Sequence, residues 1–260
     1  YLPKGSLVNP NEPAPMTLCT LTPASEIIGT IFQALDQAES GRVSAGYCRY
    51  AGPSYYGIDP RTNRFYVGFS FCSTGSGGAM KGMDGKAYMS AMSNFGGVKT
   101  PNIESNEVQY PHLTLWHEMD LDTAGPGEYR GGAGMRFAFE IYDESSDIVM
   151  FGDGMKFAPY GLRGGGKGSL NKAIFVHEGT PITMESKEYP RHVSKGDRVY
   201  LNSCGGGGWG NALDRPPEKV YNDVLDEIIS VETAKTIYGV VITESGVDKD
   251  ATRKLREEMR

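Results

Sequence analysis

Cys204-Gly205-Gly206-Gly207-Gly208-Trp209-Gly210 decides how this chain is read. Four consecutive glycines and a tryptophan belong neither to a helix nor to an ordinary strand. Glycine loses more backbone freedom on folding than any other residue. Such a run is tolerated where the backbone turns tightly or where another group must come close. Next comes Asn211-Ala-Leu-Asp214-Arg215-Pro216-Pro217-Glu218, a helix start. Asp214 is suited to cap it, and proline is harmless in a first turn. Val220, Val224, Leu225 and Ile228 continue at helical spacing. We expect a left-handed φ within 205–208, a close backbone neighbour, a mostly buried Trp209, and a helix aiming its first N–H groups at the same loop.

Composition narrows the class. The 260 residues are 39% hydrophobic and 22% charged, with a formal net charge of −6, which argues against a nucleic-acid or anionic-membrane surface. Thirty-five glycines are nearly twice the usual share of about 7%, and they cluster without a repeat. No run of about 18 apolar residues spans a membrane. Cys19, Cys48, Cys72 and Cys204 lack a C-x-x-C spacing, so free thiols in a reducing, cytoplasmic setting are expected. The chain starts at Tyr1 without a signal peptide and reads like the middle of a longer protein.

In chain order, the prolines of residues 1–23 predict an extended surface run. Ile27, Ile28, Ile31 and Leu35 give an apolar helical stripe opened by Thr22-Pro23, and 43–61 reads as a tyrosine-bearing loop. Strands are predicted at 64–72, 113–116, 136–142, 147–151, 173–177 and 198–201. A short helix is predicted at 84–93. The tail carries helices near 216–229 and 231–237, a strand at 240–243 and a helix from about 248. The fold class expected is α+β: β-rich mixed sheets, Gly-rich loops and peripheral helices, over 1–260 as one unit.

Gly161-Leu-Arg-Gly-Gly-Gly166-Lys167-Gly168-Ser169 nearly fits a P-loop. Gly168 stands where the metal-binding hydroxyl belongs, and a strand instead of a helix follows. A turn, with Arg163 and Lys167 in water, is the better reading. His112 and His117 flank a strand, with Glu118, Asp120 and Asp122 behind them. Such clusters can hold metal or move protons. Strand alternation, however, puts residues five apart on opposite faces, and His117-Glu118 is not H-E-x-x-H. No nucleophile-elbow serine is present. Asp122-Thr-Ala-Gly-Pro-Gly-Glu-Tyr-Arg130-Gly-Gly-Ala-Gly134 is a glycine-rich turn with an acid and an arginine at its ends. Asp122 is a candidate acid or base and Arg130 a candidate clamp for an anion. The alternative is an Asp–Arg pair that holds the loop.

Gly5-Ser-Leu-Val-Asn9-Pro10-Asn-Glu-Pro13-Ala-Pro15, Asp84-Gly85, Glu104–Pro111, Arg130-Gly-Gly-Ala-Gly134, Gly205–Gly210, Arg215-Pro-Pro-Glu218, Asp223-Val224, Ser230 and Tyr238-Gly-Val-Val241 occur in this order. With them the whole chain resembles the hydantoinase B/oxoprolinase family. The resemblance implies part of a heteromeric, ATP-dependent, carbonyl-activating enzyme. It would hydrolyse a cyclic amide of the hydantoin or 5-oxoproline type, or carboxylate a ketone such as acetone or acetophenone. ATP and Mg would sit on an A-type ATP-binding partner subunit, and a divalent metal on the upstream half of the B-type subunit. The present chain resembles the C-terminal half, expected to be inactive alone. The rival reading is a noncatalytic assembly module.

Overall fold

The computed structural model describes residues 2–14, 22–38, 41–70, 74–89, 92 and 100–260. Within these residues five α-helices, eleven strands and a 3-10 turn follow one another: α1 (Ala24–Ala38), β1 (Ala51–Asp59), β2 (Arg64–Phe69), α2 (Ile103–Gln109), β3 (His112–Asp120), β4 (Gly134–Ile141), β5 (Ser146–Gly152), β6 (Lys172–His177), β7 (Thr180–Thr183), β8 (Arg191–Val193), β9 (Arg198–Asn202), the 3-10 turn (Ala212–Asp214), α3 (Pro217–Leu225), α4 (Val231–Thr236), β10 (Ile242–Thr243), β11 (Gly246–Val247) and α5 (Lys249–Met259). The chain is α+β, as its composition and strand pattern predict.

One antiparallel sheet has the order β2-β1-β5-β8, a second the order β3-β4-β9-β6-β7, and β10 pairs with β11. The two larger sheets share a core. Tyr55, Ile148, Met150 and Val193 come from the first; Phe137, Phe139, Ile141, Phe175, Val199 and Leu201 from the second. β4 and β5 flank the polar turn at 143–146 yet lie in different sheets, so the turn carries the chain from one layer to the other. A second apolar cluster joins Ala124 and Ala133 to Val220, Ile229, Ala234, Tyr238 and Val240 beneath α3 and α4. No helix among the described residues is long and apolar enough to cross a membrane.

Several local expectations are corrected. The loop expected over 43–61 contains β1, paired on both sides. Its Gly57 is small because Ser146 and Asp143 pack where a Cβ would be. Residues 84–89 form turns and coil instead of a helix, because Asp84 and Gly85 are drawn to the Arg130 segment; 90, 91 and 93–99 lie outside the described residues. Residues 2–14 form tight turns: Gly5 N donates to Asn9 O and Asn9 Nδ2 to Leu2 O. The rest of the proline-rich run, 15–21, lies outside the described residues, as do the last two positions of the predicted strand 64–72. α2, capped by Asn102, and the short strands β7 and β8 carry no periodic signal and were not expected.

α1 is a helix where the stripe predicts one, but the stripe faces water. Ile27, Ile31 and Leu35 are exposed while Ser25, Gly29 and Asp36 are buried. The helix is held by polar groups: Tyr160 Oη donates to Gly29 O, Arg49 pairs with Glu26 and Arg163 with Asp36. Arg163 is therefore a tether instead of a solvated loop residue.

Candidate functional site

The glycine run is the centre of a backbone bundle. Gly206, Gly207 and Gly208 donate their N–H groups to Gly132 O at 3.0 Å, Gly46 O at 2.8 Å and Gly166 O at 2.9 Å. Their carbonyls accept from Gly125 N, Ala79 N and Leu162 N. Three successive residues thus bond in three directions, the habit of an extended helix with three residues per turn and no internal hydrogen bonds. Neighbouring segments supply the bonds that water supplies elsewhere. All four glycines are buried. A Cβ on Gly205, Gly206, Gly207 or Gly208 would land on the carbonyl oxygen of Thr123, Gly77, Tyr160 or Pro126 respectively.

The expected left-handed φ is absent from 205–208; the first in this stretch is at Gly210. Glycine is needed here for close approach of backbones, not for turning. Trp209 is half-buried instead of mostly buried, and its ring lies 5.9 Å from Tyr129. Asp214 caps nothing: Asn211 Oδ1 accepts from Leu213 N, and Asp214 pairs with Arg260 at 2.6 Å. α3 starts at Pro217 without a side-chain cap.

The same bundle absorbs the P-loop-like run. Gly165, Gly166, Gly168 and Ser169 donate to Leu162 O, Pro126 O, Pro159 O and Thr123 O. Those amides are engaged inside the protein and do not face a phosphate. β6 follows where a P-loop needs a helix. The residues present do not fit a nucleotide cradle.

Four ionised side chains far apart in sequence meet beside the bundle. Asp84 Oδ1 accepts from Arg215 Nη1 at 2.7 Å and from Arg130 N at 2.9 Å; its Oδ2 accepts from Arg215 Nη2 at 2.9 Å. Asp223 Oδ1 accepts from Arg130 Nε at 2.7 Å and Oδ2 from Arg215 Nε at 2.9 Å. The side chain of Arg215 is only 1% exposed. Two cations and two anions balance, so every buried charge has a hydrogen-bonded counterion, as low-dielectric surroundings require. Burial pushes the Asp84 carboxyl up, but hydrogen bonds and charge from Arg215, with Arg130, outweigh it and hold its pKa below the ordinary value. Burial opposes the Arg215 charge, and the Asp84 hydrogen bond and Asp223 more than restore it. Burial likewise pushes the nearby Tyr238 phenol up to about 12.

His112 lies in the shared core, ringed by Tyr55, Tyr110 and Phe139. Asn106 Nδ2 donates to its Nε2 at 2.9 Å. Burial, and then the Arg61 charge, drive its pKa down to about 4, so it is a neutral imidazole. His117 sits over Phe137 at 5.4 Å, with Tyr88 at 5.8 Å. The two histidines were expected on opposite faces; the structure puts them on the same one. A bulge sets Thr114 opposite Phe139 and Trp116 opposite Ala138, so the extra residue reverses the alternation.

The acids behind His117 diverge. Glu118 pairs with Arg136, Asp120 Oδ2 accepts from Asn202, and Asp122 Oδ1 accepts from Ser230 N at 2.8 Å. Asp122 is exposed and has φ of 58°. It does not pair with Arg130, whose Nε is on Asp223 and Nη1 on Gly131 O. Among the described residues no three His, Cys, Asp or Glu side chains group to hold a metal. The four sequence candidates therefore form no single cluster. Sequence reading missed Asp84 and Asp223 as Arg130's partners, and Arg215 as the second cation those acids share. A buried arginine leaves no local signature, though each lies within a stretch quoted above for its resemblance.

The profile of the Hydantoinase B/oxoprolinase family matches residues 1–212. The chain belongs to that family. It is 34% identical over 265 residues to the beta subunit of the caprolactamase of Pseudomonas jessenii, covering 98% of this chain and 45% of that protein. It is 32% identical over 259 residues to the B-type subunit of the putative D-/L-hydantoinase of Pseudomonas sp. (strain NS671), covering 98% and 42%. The crystal structure of the ATP-dependent caprolactamase from Pseudomonas jessenii superposes with a TM-score of 0.83 at 30% identity, over 99% of this chain and 46% of that one. The chain thus spans about half the length of these hydantoinase B/oxoprolinase relatives. The glycine bundle, the Asp84–Arg215–Asp223–Arg130 network and the histidine strand all involve residues within the shared span.

Proposed function

We propose that this chain is one part of a heteromeric, ATP-dependent enzyme that opens a cyclic amide by hydrolysis. The supporting observation is similarity along 98% of its length to the beta subunit of a caprolactamase, with a hydantoinase subunit close behind. The reaction breaks the ring C–N bond and adds water across it. ATP, with Mg on an A-type partner subunit, supplies the activation of the amide oxygen that makes a poor electrophile reactive. A divalent metal belongs to the part of the B-type subunit that this chain does not span. The assembly is cytoplasmic, and residues 1–260 act in it as one unit.

Within that reading the four candidates divide. His112 is neutral, enclosed and hydrogen-bonded, and Arg130 is tied to Asp223; both hold the scaffold. His117 is half-buried and Asp122 exposed, so these two can reach a substrate and carry a proton. The second reading, a noncatalytic assembly module, draws on the glycine loops, whose amides are engaged internally.

Reconstitution with the ATP-binding subunit and the remaining B-type polypeptide separates the two. Ring opening of caprolactam and of hydantoin is measured with ATP, with acetone and bicarbonate as the carboxylation arm. The chain alone turns over nothing. In the assembly, His117→Gln and Asp122→Asn should each lower ring opening at least tenfold, with a loss far greater than any accompanying loss of folded protein at the assay temperature. If both variants keep full turnover, the module reading stands. If only acetone is consumed, the enzyme is a ketone carboxylase.

A further inference from the structure

The sequence Arg64-Phe-Tyr-Val-Gly-Phe69 is β2, the edge of the four-stranded sheet. Its inward positions behave normally. Tyr66 packs on Tyr55 and Tyr110, and Gly68 leaves room for the Tyr55 ring. The outward positions do not. Phe65 is 65% exposed, Val67 51% and Phe69 42%. The register places Ile58, 45% exposed, directly opposite Phe65 on β1. Beyond it, β5 turns Val149 and Phe151 to the same face, and the Phe69 and Phe151 rings lie 6.0 Å apart edge to face. An antiparallel sheet with one face on the core ordinarily alternates apolar-in, polar-out. Here β2 is apolar on both faces, and Ile58, Val149 and Phe151 carry its outer apolar surface onto β1 and β5, beside Ser54, Tyr56 and Asp147. The face becomes polar toward β8, where Asp147 of β5 lies 3.4 Å from His192 Nδ1. The exposed apolar side chains amount to roughly 400 Å², the size of the largest and often functional patch on a typical monomer and about half of one side of a standard protein interface.

We propose that this outer sheet face is covered by the counterpart of the part of the caprolactamase beta subunit that lies outside the match. The inference rests on the reading of the chain as one portion of a larger assembly, and it adds where the portions meet. In the relative, the shared span and the remaining polypeptide coexist in one chain, and the shared span is less than half of it. A layer packed on β2, β1 and β5 turns the sheet into an inner layer and places Phe65, Val67 and Phe69 in a second core.

The test co-produces this 260-residue chain with the portion of the Pseudomonas jessenii beta subunit outside the match. Native mass spectrometry and hydrogen exchange of residues 64–69 are the readouts. The wild-type chain should form a one-to-one heteromer, with exchange over 64–69 slowed at least tenfold. Phe65→Ser with Val67→Lys points both changes at water, so the chain's own melting curve should stay in place while the heteromer falls at least tenfold. A heteromer indifferent to the double variant, with 64–69 unprotected, overturns the docking face and leaves the larger assembly standing. No heteromer at all overturns both. Self-association that the double variant abolishes assigns the face to a second copy and overturns this occupant.

Discussion

A single methyl group tests the glycine bundle. At Gly206 a Cβ would fall on the backbone carbonyl of Gly77, which itself accepts from Gly132 N. Neither backbone can move without breaking bonds that a buried amide cannot replace with water. Gly206→Ala should therefore cost more than about 3 kcal/mol, the upper end of overpacking penalties. Gly196 supplies the contrast: its φ is +92° and nothing lies within 4 Å. There alanine meets only backbone strain, and Gly196→Ala should cost about 1 kcal/mol. Urea unfolding of both variants measures the difference. Equal losses would mean that conformational preference, not close approach, selects these glycines. Cys48 belongs to the same packing. Its Sγ lies 2.7 Å from Cys204 Sγ, and it occupies the space a Cβ on Gly75 would need. Burial first, and then Cys204, push its thiol well above the ordinary value.

At the scale of elements, one extra residue in β3 decides where two histidines point, and that has a consequence in solution. His112 is carried into the core, where it titrates near 4 instead of 6.5. Unfolding releases it to its ordinary value, so below about pH 6.5 the unfolded chain binds the proton that the folded chain refuses. Its contribution is fully present above pH 6.5 and is lost as pH falls toward 4, by up to roughly 3 kcal/mol. Urea midpoints at pH 7.5 and 4.5 should separate more for the wild type than for His112→Gln, which cannot titrate. An identical pH dependence in the two proteins would remove His112 from the account. α1 teaches a related lesson. Ile27, Ile31 and Leu35 have helical spacing, and the helix forms, but its docked face is the one with Gly29 and Asp36. Periodicity reports a face; it does not say what the face meets.

Across the whole molecule, the network of Asp84, Arg130, Arg215 and Asp223 joins the loop before α2, the turn after β3, the segment that leads into α3 and the last turn of α3. It binds the glycine bundle to the helical cluster around Tyr238. Arg215→Met would leave Asp84 and Asp223 short of a counterion in a buried site. Removing one partner of a buried ion pair typically costs about 3–5 kcal/mol, because the remaining charge is unpaired. We expect a loss near 4 kcal/mol by urea unfolding, on the same scale. Asp84→Asn in the Arg215→Met background should recover part of it, since one of the stranded anions is then gone. If Arg215→Met is neutral, the network is not what secures α3 to the bundle.

The amino-acid order alone determined what the backbone could do locally. Strand runs at 136–142, 147–151, 173–177 and 198–201, the tail helices, and the demand for close approach at 205–208 were all legible, because side-chain period and the missing Cβ are local properties. The family was legible too, in motifs spread along the chain. What only the tertiary structure decided were the pairings. Which segments surround Gly206, which sheet receives β5, which way α1 turns and which anions hold Arg130 depend on residues tens to more than a hundred positions away. The bulge in β3 shifts parity through its register with β4, and β1 is a strand despite Gly52, Pro53 and Gly57 because β2 and β5 flank it. Hydrogen bonds between distant backbones carry no side-chain signature, so a glycine reads the same in a turn as in the centre of a bundle.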